Sequence, residues 1–151
     1  MNGYRLTVKG YSKGLNLVLS GVHYDYRTKR VFNPVKAEND KICIWAIRQS
    51  IALRNAKIDK PIVIHYKFFW ANKRSDRMNI AEAFDKSFQD ALQKVGVIKN
   101  DGWDDVINAT FDFDIDKINP RVEVLIEELG CTTYEIFDWD SVLKREQERR
   151  K

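Results

Sequence analysis

The chain has 151 residues, 44% of them hydrophobic, and its 26 Lys and Arg residues outnumber 22 Asp and Glu residues for a net charge of +4. This length and composition predict one folded domain over residues 1–151 and exclude a disordered chain. No apolar stretch approaches the roughly 20 residues of a membrane helix, and the N-terminus has no signal-peptide core, so we expect a cytoplasmic protein with no membrane partner. The two cysteines lack CxxC spacing, which predicts reduced thiols.

The first part of the chain predicts two strands and a loop. Residues 4–10 (YRLTVKG) alternate apolar and polar positions, as a half-buried strand does, and residues 15–21 (LNLVLSG) form a second extended run. Residues 23–34 are polar and aromatic without a helical period, so we expect a long loop there.

A helix and a central strand follow. Apolar residues at helical spacing predict a helix over residues 41–55, and Asn39 or Asp40 can serve as its N-cap. Residues 61–71 (PIVIHYKFFWA) are rich in β-branched and aromatic side chains, which predicts a central strand ending near Trp70.

The clearest helix begins near Asn79. Asn79 and Glu82 have the spacing of a capping box, and Gly96 lies where a left-handed residue would end the helix. Two more strands and a charged helix or tail complete the chain, over residues 103–116, 121–129 and 139–151. The resulting order, β-β-α-β-α-β-β-α, predicts an α+β fold in which helices pack against a mixed sheet.

Basic residues cluster in three segments, 26–30 (YRTKR), 73–77 (KRSDR) and 144–151 (KREQERRK). Clustered Lys and Arg release counterions when they bind phosphates, so these segments favour a nucleic acid as partner. The alternative is that surface cations only keep a small domain in solution.

Two acidic stretches flank the clearest helix. Asp76 follows a predicted strand, and Asp101 lies in the loop that leads to another strand. If those strands are neighbours, their ends can bring the two carboxylates together at a site for Mg²⁺, which prefers a few carboxylates and several waters. Such an ion can support phosphodiester hydrolysis. The alternative is that these acids only favour helix ends electrostatically.

Other constellations give less. His23 and His65 are too isolated for a zinc site, and no GxGxxG or P-loop occurs, so we expect no nucleotide cofactor. Trp103, which follows a loop glycine, suits either stacking on a base or anchoring its loop in the core.

Several pieces of the chain, in this order, match the core motif of one family. They are Lys73, Arg74, Asp76 and Asn79, then Asp90-Ala91-Leu92, then Gly96-Val97, then Asn100-Asp101-Gly102-Trp103. In this order they resemble RusA-type Holliday-junction resolvases, in which a basic-acidic RRDxDN pattern precedes a helix with DAL and a G-V-x-x-D/N-D step. The resemblance covers residues 61–128, fits the N-terminal part more loosely, and does not extend beyond Leu129.

The resemblance implies a RusA-like homodimer that binds four-way DNA junctions and cuts them in recombination and repair, with Mg²⁺ as its metal and Mn²⁺ as a substitute. Two subunits would supply two active sites for paired nicks. Carried over by position, Asp76 is the family's first catalytic acid and Asp101 its last. The side chains expected to contact DNA are Lys73, Arg74, Arg77 and Asn79 near the acids, and Arg27, Lys29 and Arg30 on the junction arms.

The sequence departs from the family at two positions. Met78 stands where the family has its second acid, and a thioether is no ligand for Mg²⁺. Glu82 stands where many members have a lysine. Because Glu82 lies one helical turn from position 78, it can restore the lost carboxylate, and Lys86 can restore the base one turn further on. We therefore expect a metal site of Asp76, Glu82 and Asp101, with Asp104 or Asp105 as a fourth contributor. The alternative is that Glu82 only completes the capping box.

Three functions remain open from the sequence. The first is an active Mg²⁺-dependent endodeoxyribonuclease for branched DNA. The second is a catalytically impaired relative that binds junctions without cutting them, because Met78 replaces an essential ligand. The third is an unrelated metabolic domain whose basic segments only keep it soluble.

Overall fold

A mixed sheet of four strands forms the frame of the protein. The structure, a computed structural model, describes residues 3–9, 23–25, 27, 30–32, 34–73, 77–129 and 139–150. In chain order its elements are β1 (Gly3–Val8), β2 (His23–Asp25), β3 (Arg30–Phe32), α1 (Pro34–Gln49), β4 (Ile62–Trp70), α2 (Arg77–Val95), β5 (Val106–Ile115), β6 (Arg121–Glu128) and α3 (Trp139–Arg149). The predicted α+β fold with a mixed sheet is confirmed.

The strand order in the sheet is β1-β6-β4-β5. Strand β6 runs antiparallel to both of its neighbours, whereas β4 and β5 are parallel. Parallel neighbours need a crossover connection, and α2 supplies it between β4 and β5. Strand β4 thus has a neighbour on each side, as its β-branched and aromatic composition predicted.

The core lies between one face of the sheet and helices α1 and α2. On α2 the buried residues Ile80, Phe84, Phe88 and Leu92 recur every four positions, which confirms the predicted apolar face. The ring of Tyr66 on β4 meets Phe84 and Phe88 edge-on, at centroid distances of 5.5 and 5.8 Å. Aromatic pairs of this kind fix α2 against the sheet, so its more exposed side is carried on a rigid support.

Strands β5 and β6 confirm the predicted extended segments. Val122, Val124 and Ile126 of β6 point into the core, and the residues between them lie on the other face. That other face is largely polar and includes the exposed Lys67 and Asp112, which are cross-strand neighbours.

Gly96 ends helix α2 as predicted. Its φ of 89° is in the left-handed region that glycine adopts without steric cost. The N–H of Gly96 donates to the carbonyl of Gln93 (3.0 Å), and the N–H of Val97 donates to the carbonyl of Leu92 (2.9 Å). This pair of bonds closes the last helical turn and directs the chain towards Asp101.

The predicted starts of two helices are wrong. Helix α1 begins at Pro34, a residue favoured at the first helical position, and ends at Gln49, so Asn39 lies inside the helix and is fully buried. Helix α2 begins at Arg77, so Asn79 lies in its first turn and is not the N-cap. The position before Arg77 is that of Asp76, which lies outside the described residues.

The predicted loop over residues 23–34 is also wrong in part. Strands β2 and β3 pair antiparallel within it and form a separate two-stranded sheet. Each of these strands has three residues, which is too short for a period to be recognised. The predicted strand over residues 15–21 lies outside the described residues.

Helix α3 confirms the charged C-terminal helix, and its residues 143–149 are exposed. None of the helices within the described ranges is long and apolar enough to cross a membrane.

Candidate functional site

The strands beside the two acidic stretches are neighbours, but their direction separates the stretches. Trp70, at the end of β4, lies opposite Ile115, at the end of β5, and Ile62 lies opposite Val106 at the other end of the pair. The loop after β4 and the loop before β5 are therefore at opposite edges of the sheet. The direction of the strands therefore gives no support to the expectation that their ends bring the acids together. Asp76 lies outside the described residues, so its proximity to Asp101 stays a prediction.

Asp101 instead lies near a carboxylate on helix α2. This residue, Asp85, was not among the candidates from the sequence. Burial raises the pKa of Asp85, hydrogen bonds from Tyr66 and Gln89 oppose that rise, and the negative charge of Asp101 adds to it. The negative charges of Asp85 and Asp101 therefore repel each other.

Two donors hold the Asp85 side chain in place. Tyr66 Oη donates to Asp85 Oδ1 at 2.5 Å, and Gln89 Nε2 donates to the same oxygen at 2.8 Å. Both bonds end on Oδ1, and no donor among the described residues bonds to Oδ2. Tyr66 is buried in the aromatic core, so the orientation of this carboxylate depends on a core side chain.

Glu82, Asp85, Lys86 and Gln89 share one stripe of α2, because their spacing is i, i+3, i+4 and i+7. Glu82 and Lys86 are exposed, and Asp85 and Gln89 are half-buried. The predicted catalytic residues Glu82 and Lys86 are thus on the same stripe as Asp85, with an ammonium group one turn from the Glu82 carboxylate.

No three His, Cys, Asp or Glu side chains within the described ranges are grouped closely enough to hold a metal ion. The expected ligands Glu82, Asp101 and Asp104 thus do not form such a group in the described part of the chain, and Asp76 lies outside it. Mg²⁺ is often held by one or two carboxylates together with waters and substrate phosphates. Asp85 and Asp101 supply the right ligand chemistry for that mode of binding.

The loop that carries Asp101 is tied to the sheet. The carbonyl of Gly102 accepts the N–H groups of Asp105 and Val106, both at 3.0 Å, and the carbonyl of Asp105 accepts the N–H of Ile62 at 2.9 Å. These bonds fix a turn just after Asp101. Asp104 is exposed and Asp105 is half-buried in the same turn.

Trp103 lies in this turn and is 94% exposed. The alternative that it anchors its loop in the core is therefore wrong. The turn borders a depression of about 490 Å³ lined by Asp101, Gly102, Trp103, Asp104, Val106 and Ile107.

Two of the expected DNA contacts lie together at the other edge of the sheet. Lys73 and Arg77 line a depression of about 610 Å³ that also includes Trp70 and Phe113. The Arg77 guanidinium carbon lies 5.3 Å from the centre of the Phe113 ring, a cation–π distance. The depression lies at the carboxyl end of two parallel strands, the edge where open sheets with parallel strands commonly bind ligands.

The remaining expected contacts are less well placed. Asn79 is half-buried in the first turn of α2, and Arg27 is exposed. Arg30 begins β3, opposite Asp25. Lys29 and Arg74 lie outside the described residues, so their roles stay predictions.

Neither the models of known protein families nor the curated proteins include one that matches this chain. The resemblance to a family therefore rests on the motif pieces between Lys73 and Trp103 alone.

Proposed function

We propose that this protein is an endodeoxyribonuclease that cuts four-way DNA junctions with Mg²⁺ as its metal. The observation that carries the proposal is the half-buried Asp85 carboxylate, which Tyr66 and Gln89 orient and whose pKa is also raised by the negative charge of Asp101 in the loop after the helix. The motif resemblance between residues 72 and 103 supports the choice of branched DNA as substrate.

Asp85 can supply the carboxylate that is missing at position 78. Met78 supplies no oxygen ligand, but Asp85 lies two turns further along α2, with a free oxygen and a fixed orientation. In this proposal Asp85 and Asp101 hold the metal and Glu82 is an exposed candidate, while the role that the resemblance implies for Asp76 stays a prediction. Asp104 is placed on the same loop as Asp101.

The metal, when bound, would polarise the scissile phosphate and make its attacking water more acidic. The protein's own residues orient the substrate and balance charge. Lys86 would neutralise negative charge that develops on the phosphate, since a fixed cation costs no reorganisation during the reaction. Lys73 and Arg77 would hold the backbone of an adjoining strand, because phosphate contacts position DNA without reading its sequence.

The direct test uses a synthetic four-way junction labelled on each strand and incubated with and without Mg²⁺. We expect paired nicks near the branch point that require the metal and are lost in Asp101→Asn and Asp85→Asn. Asp112→Asn is the matched control, because Asp112 is an exposed carboxylate on the opposite face of the sheet. Intact strands in every sample with the wild-type protein would refute the nuclease.

A second candidate is a junction-binding protein that does not cut. The side chain that favours it is Met78, 45% exposed on the first turn of α2 where the family has an acid. The same gel decides between the two, because a shifted band without nicks at any Mg²⁺ concentration supports binding alone. The absence of any salt-sensitive shift would favour an unrelated metabolic domain.

The proposed enzyme acts as a homodimer on DNA. Analytical ultracentrifugation should give a mass of twice 17.8 kDa for the free protein, or for the protein part of its junction complex after the mass of the DNA is subtracted. A monomer on the junction would contradict the homodimer. With one active site it would cut a single strand, whereas two symmetric sites produce paired nicks.

A further inference from the structure

Trp103 is the most unusual exposed side chain beside the candidate site. With 94% of its surface open to solvent, its indole ring contributes little to the core, and it stands two residues from Asp101. Large aromatic side chains are usually packed, and those that remain exposed on ordered backbone are common anchors for ligands.

The turn that carries Trp103 holds its backbone in one position. Gly102 accepts two backbone hydrogen bonds across the turn, and Asp105 is tied to the first residue of β4. A ring presented on such a support loses little conformational freedom when a ligand covers it, which favours binding.

We propose that Trp103 stacks on an unpaired nucleobase at the branch point of DNA and so places the neighbouring phosphate beside Asp101. This proposal rests on the proposed function and adds the contact that selects branched over linear DNA. Bases at a branch point have an exposed π face because the continuous stack is interrupted there. Every base offers such a face, so the contact is tolerant of sequence.

The surroundings of Trp103 favour a base over the apolar surface of a protein partner. Its exposed neighbours are Asp101, Gly102 and Asp104, so the turn presents one flat ring among polar groups and not a contiguous apolar patch. The carboxylates would repel an unneutralised phosphate, so a strand would approach with its base against the indole ring and its phosphate turned towards the metal ligands.

The test measures junction and linear-duplex binding without Mg²⁺, and junction cleavage with it, for the full chain. Trp103→Ala should weaken junction binding by about 5- to 150-fold, the range for loss of one base–aromatic stack, and should change duplex binding little. Trp103→Phe should keep most of the affinity, because a phenyl ring still stacks. Ile118→Ala is the matched control, since Ile118 is 96% exposed in the loop between β5 and β6.

A second readout locates the contact. A junction carrying 5-iodouracil at the branch point should crosslink under light to the peptide containing Trp103, and the same base inside a duplex arm should not. Unchanged junction affinity of Trp103→Ala, or crosslinks only to other peptides, would overturn the stacking contact while leaving nuclease activity intact. A dimer that dissociates in Trp103→Ala would assign the ring to a contact between subunits and also overturn it. If the wild-type protein binds no junction, the proposed function itself fails.

Discussion

Asp85 places stability and function in conflict. Burial raises the pKa of its carboxyl group, with the charge of Asp101 adding to the effect against the hydrogen bonds from Tyr66 and Gln89. A carboxyl group whose pKa is raised by folding binds its proton more tightly in the folded state than in the unfolded state. Its contribution to stability is therefore lost as the pH rises from its ordinary pKa through the raised value.

Replacing Asp85 with Asn should remove this penalty. As the pH rises from about 4 to about 8, we expect the free energy of unfolding of Asp85→Asn to increase relative to that of the wild type. Cleavage should be lost in this variant. Urea denaturation across that range measures the difference. Asp112→Asn, on an exposed carboxylate, should show no such trend. If the wild type instead became more stable relative to Asp85→Asn with rising pH, the direction of the pKa shift would be contradicted.

Tyr66 is a positioning residue for Asp85. Tyr66→Phe keeps the aromatic packing but removes the donor to Oδ1, so we expect a loss of stability of about 1.5–3 kcal/mol, as for a hydrogen bond to a charged group. Cleavage and Mg²⁺ affinity should fall about 10- to 100-fold, as when a partner of a metal ligand is removed.

Tyr4→Phe is the matched control for this prediction. Tyr4 also donates to a carboxylate, Glu128 Oε1 at 2.8 Å, but it lies on edge strand β1. Equal Mg²⁺ dependence of cleavage in Tyr66→Phe and Tyr4→Phe would remove Tyr66 from any role in orienting a metal ligand.

Helix α2 combines the core and the candidate site in one element. Its inner side carries Phe84 and Phe88, and its other side carries Glu82, Asp85 and Lys86. The length and strong apolar period of α2 made this helix predictable from the sequence, and the composition of β4 did the same for that strand. The first residue of α2 was not predictable, because an N-cap depends on local geometry that Asn79 alone does not specify.

The end of α2 gives a prediction at this scale. A Cβ added at Gly96 would have no atom within 4 Å, so the cost of Gly96→Ala comes from the left-handed backbone alone. We expect the free energy of unfolding to fall by about 1–2 kcal/mol. Chemical denaturation measures it. Gly102→Ala is the control loop glycine, because its φ is not positive and an added Cβ would make an ordinary 3.4 Å contact with Asp105. Equal losses in both variants would contradict the role of φ.

The sequence predicted the elements better than the site. The acids were expected to meet if their strands were neighbours. Strands β4 and β5 are neighbours, but they are parallel, so the loop after β4 and the loop before β5 lie at opposite edges of the sheet. Asp85 was missed because the donor that marks it, Tyr66, is 19 residues away and meets it only in the folded state. Such contacts leave no local period in the sequence.

At the scale of the whole molecule, basic and acidic groups are separated along the sheet. Lys73 and Arg77 lie at the carboxyl end of β4 and β5, whereas the loop of Asp101 leads into the amino end of β5. A DNA strand that contacts both regions would have to follow α2, which is 19 residues and about 28 Å long. Binding should therefore depend on the shape of the DNA over several nucleotides.

This separation predicts how salt acts on binding. Junction affinity should fall steeply with rising salt, and Lys73→Ala should weaken it while reducing the slope of log affinity against log salt by about one. Titration of a fluorescent junction at several salt concentrations measures both quantities. Lys67→Ala, on the exposed opposite face, is the control. An unchanged slope in Lys73→Ala would exclude its contact with a phosphate.

The two carboxylates of the candidate site also differ in how they are anchored. Asp85 belongs to a helix whose opening would require the aromatic core to come apart, whereas Asp101 precedes a turn that is held by backbone hydrogen bonds alone. Amide protons of α2 should exchange with heavy water only on global unfolding, and those of residues 99–105 by local opening. An ion that binds both side chains would therefore find the Asp85 carboxylate already oriented. The entropy cost of ordering its ligands would fall mainly on Asp101.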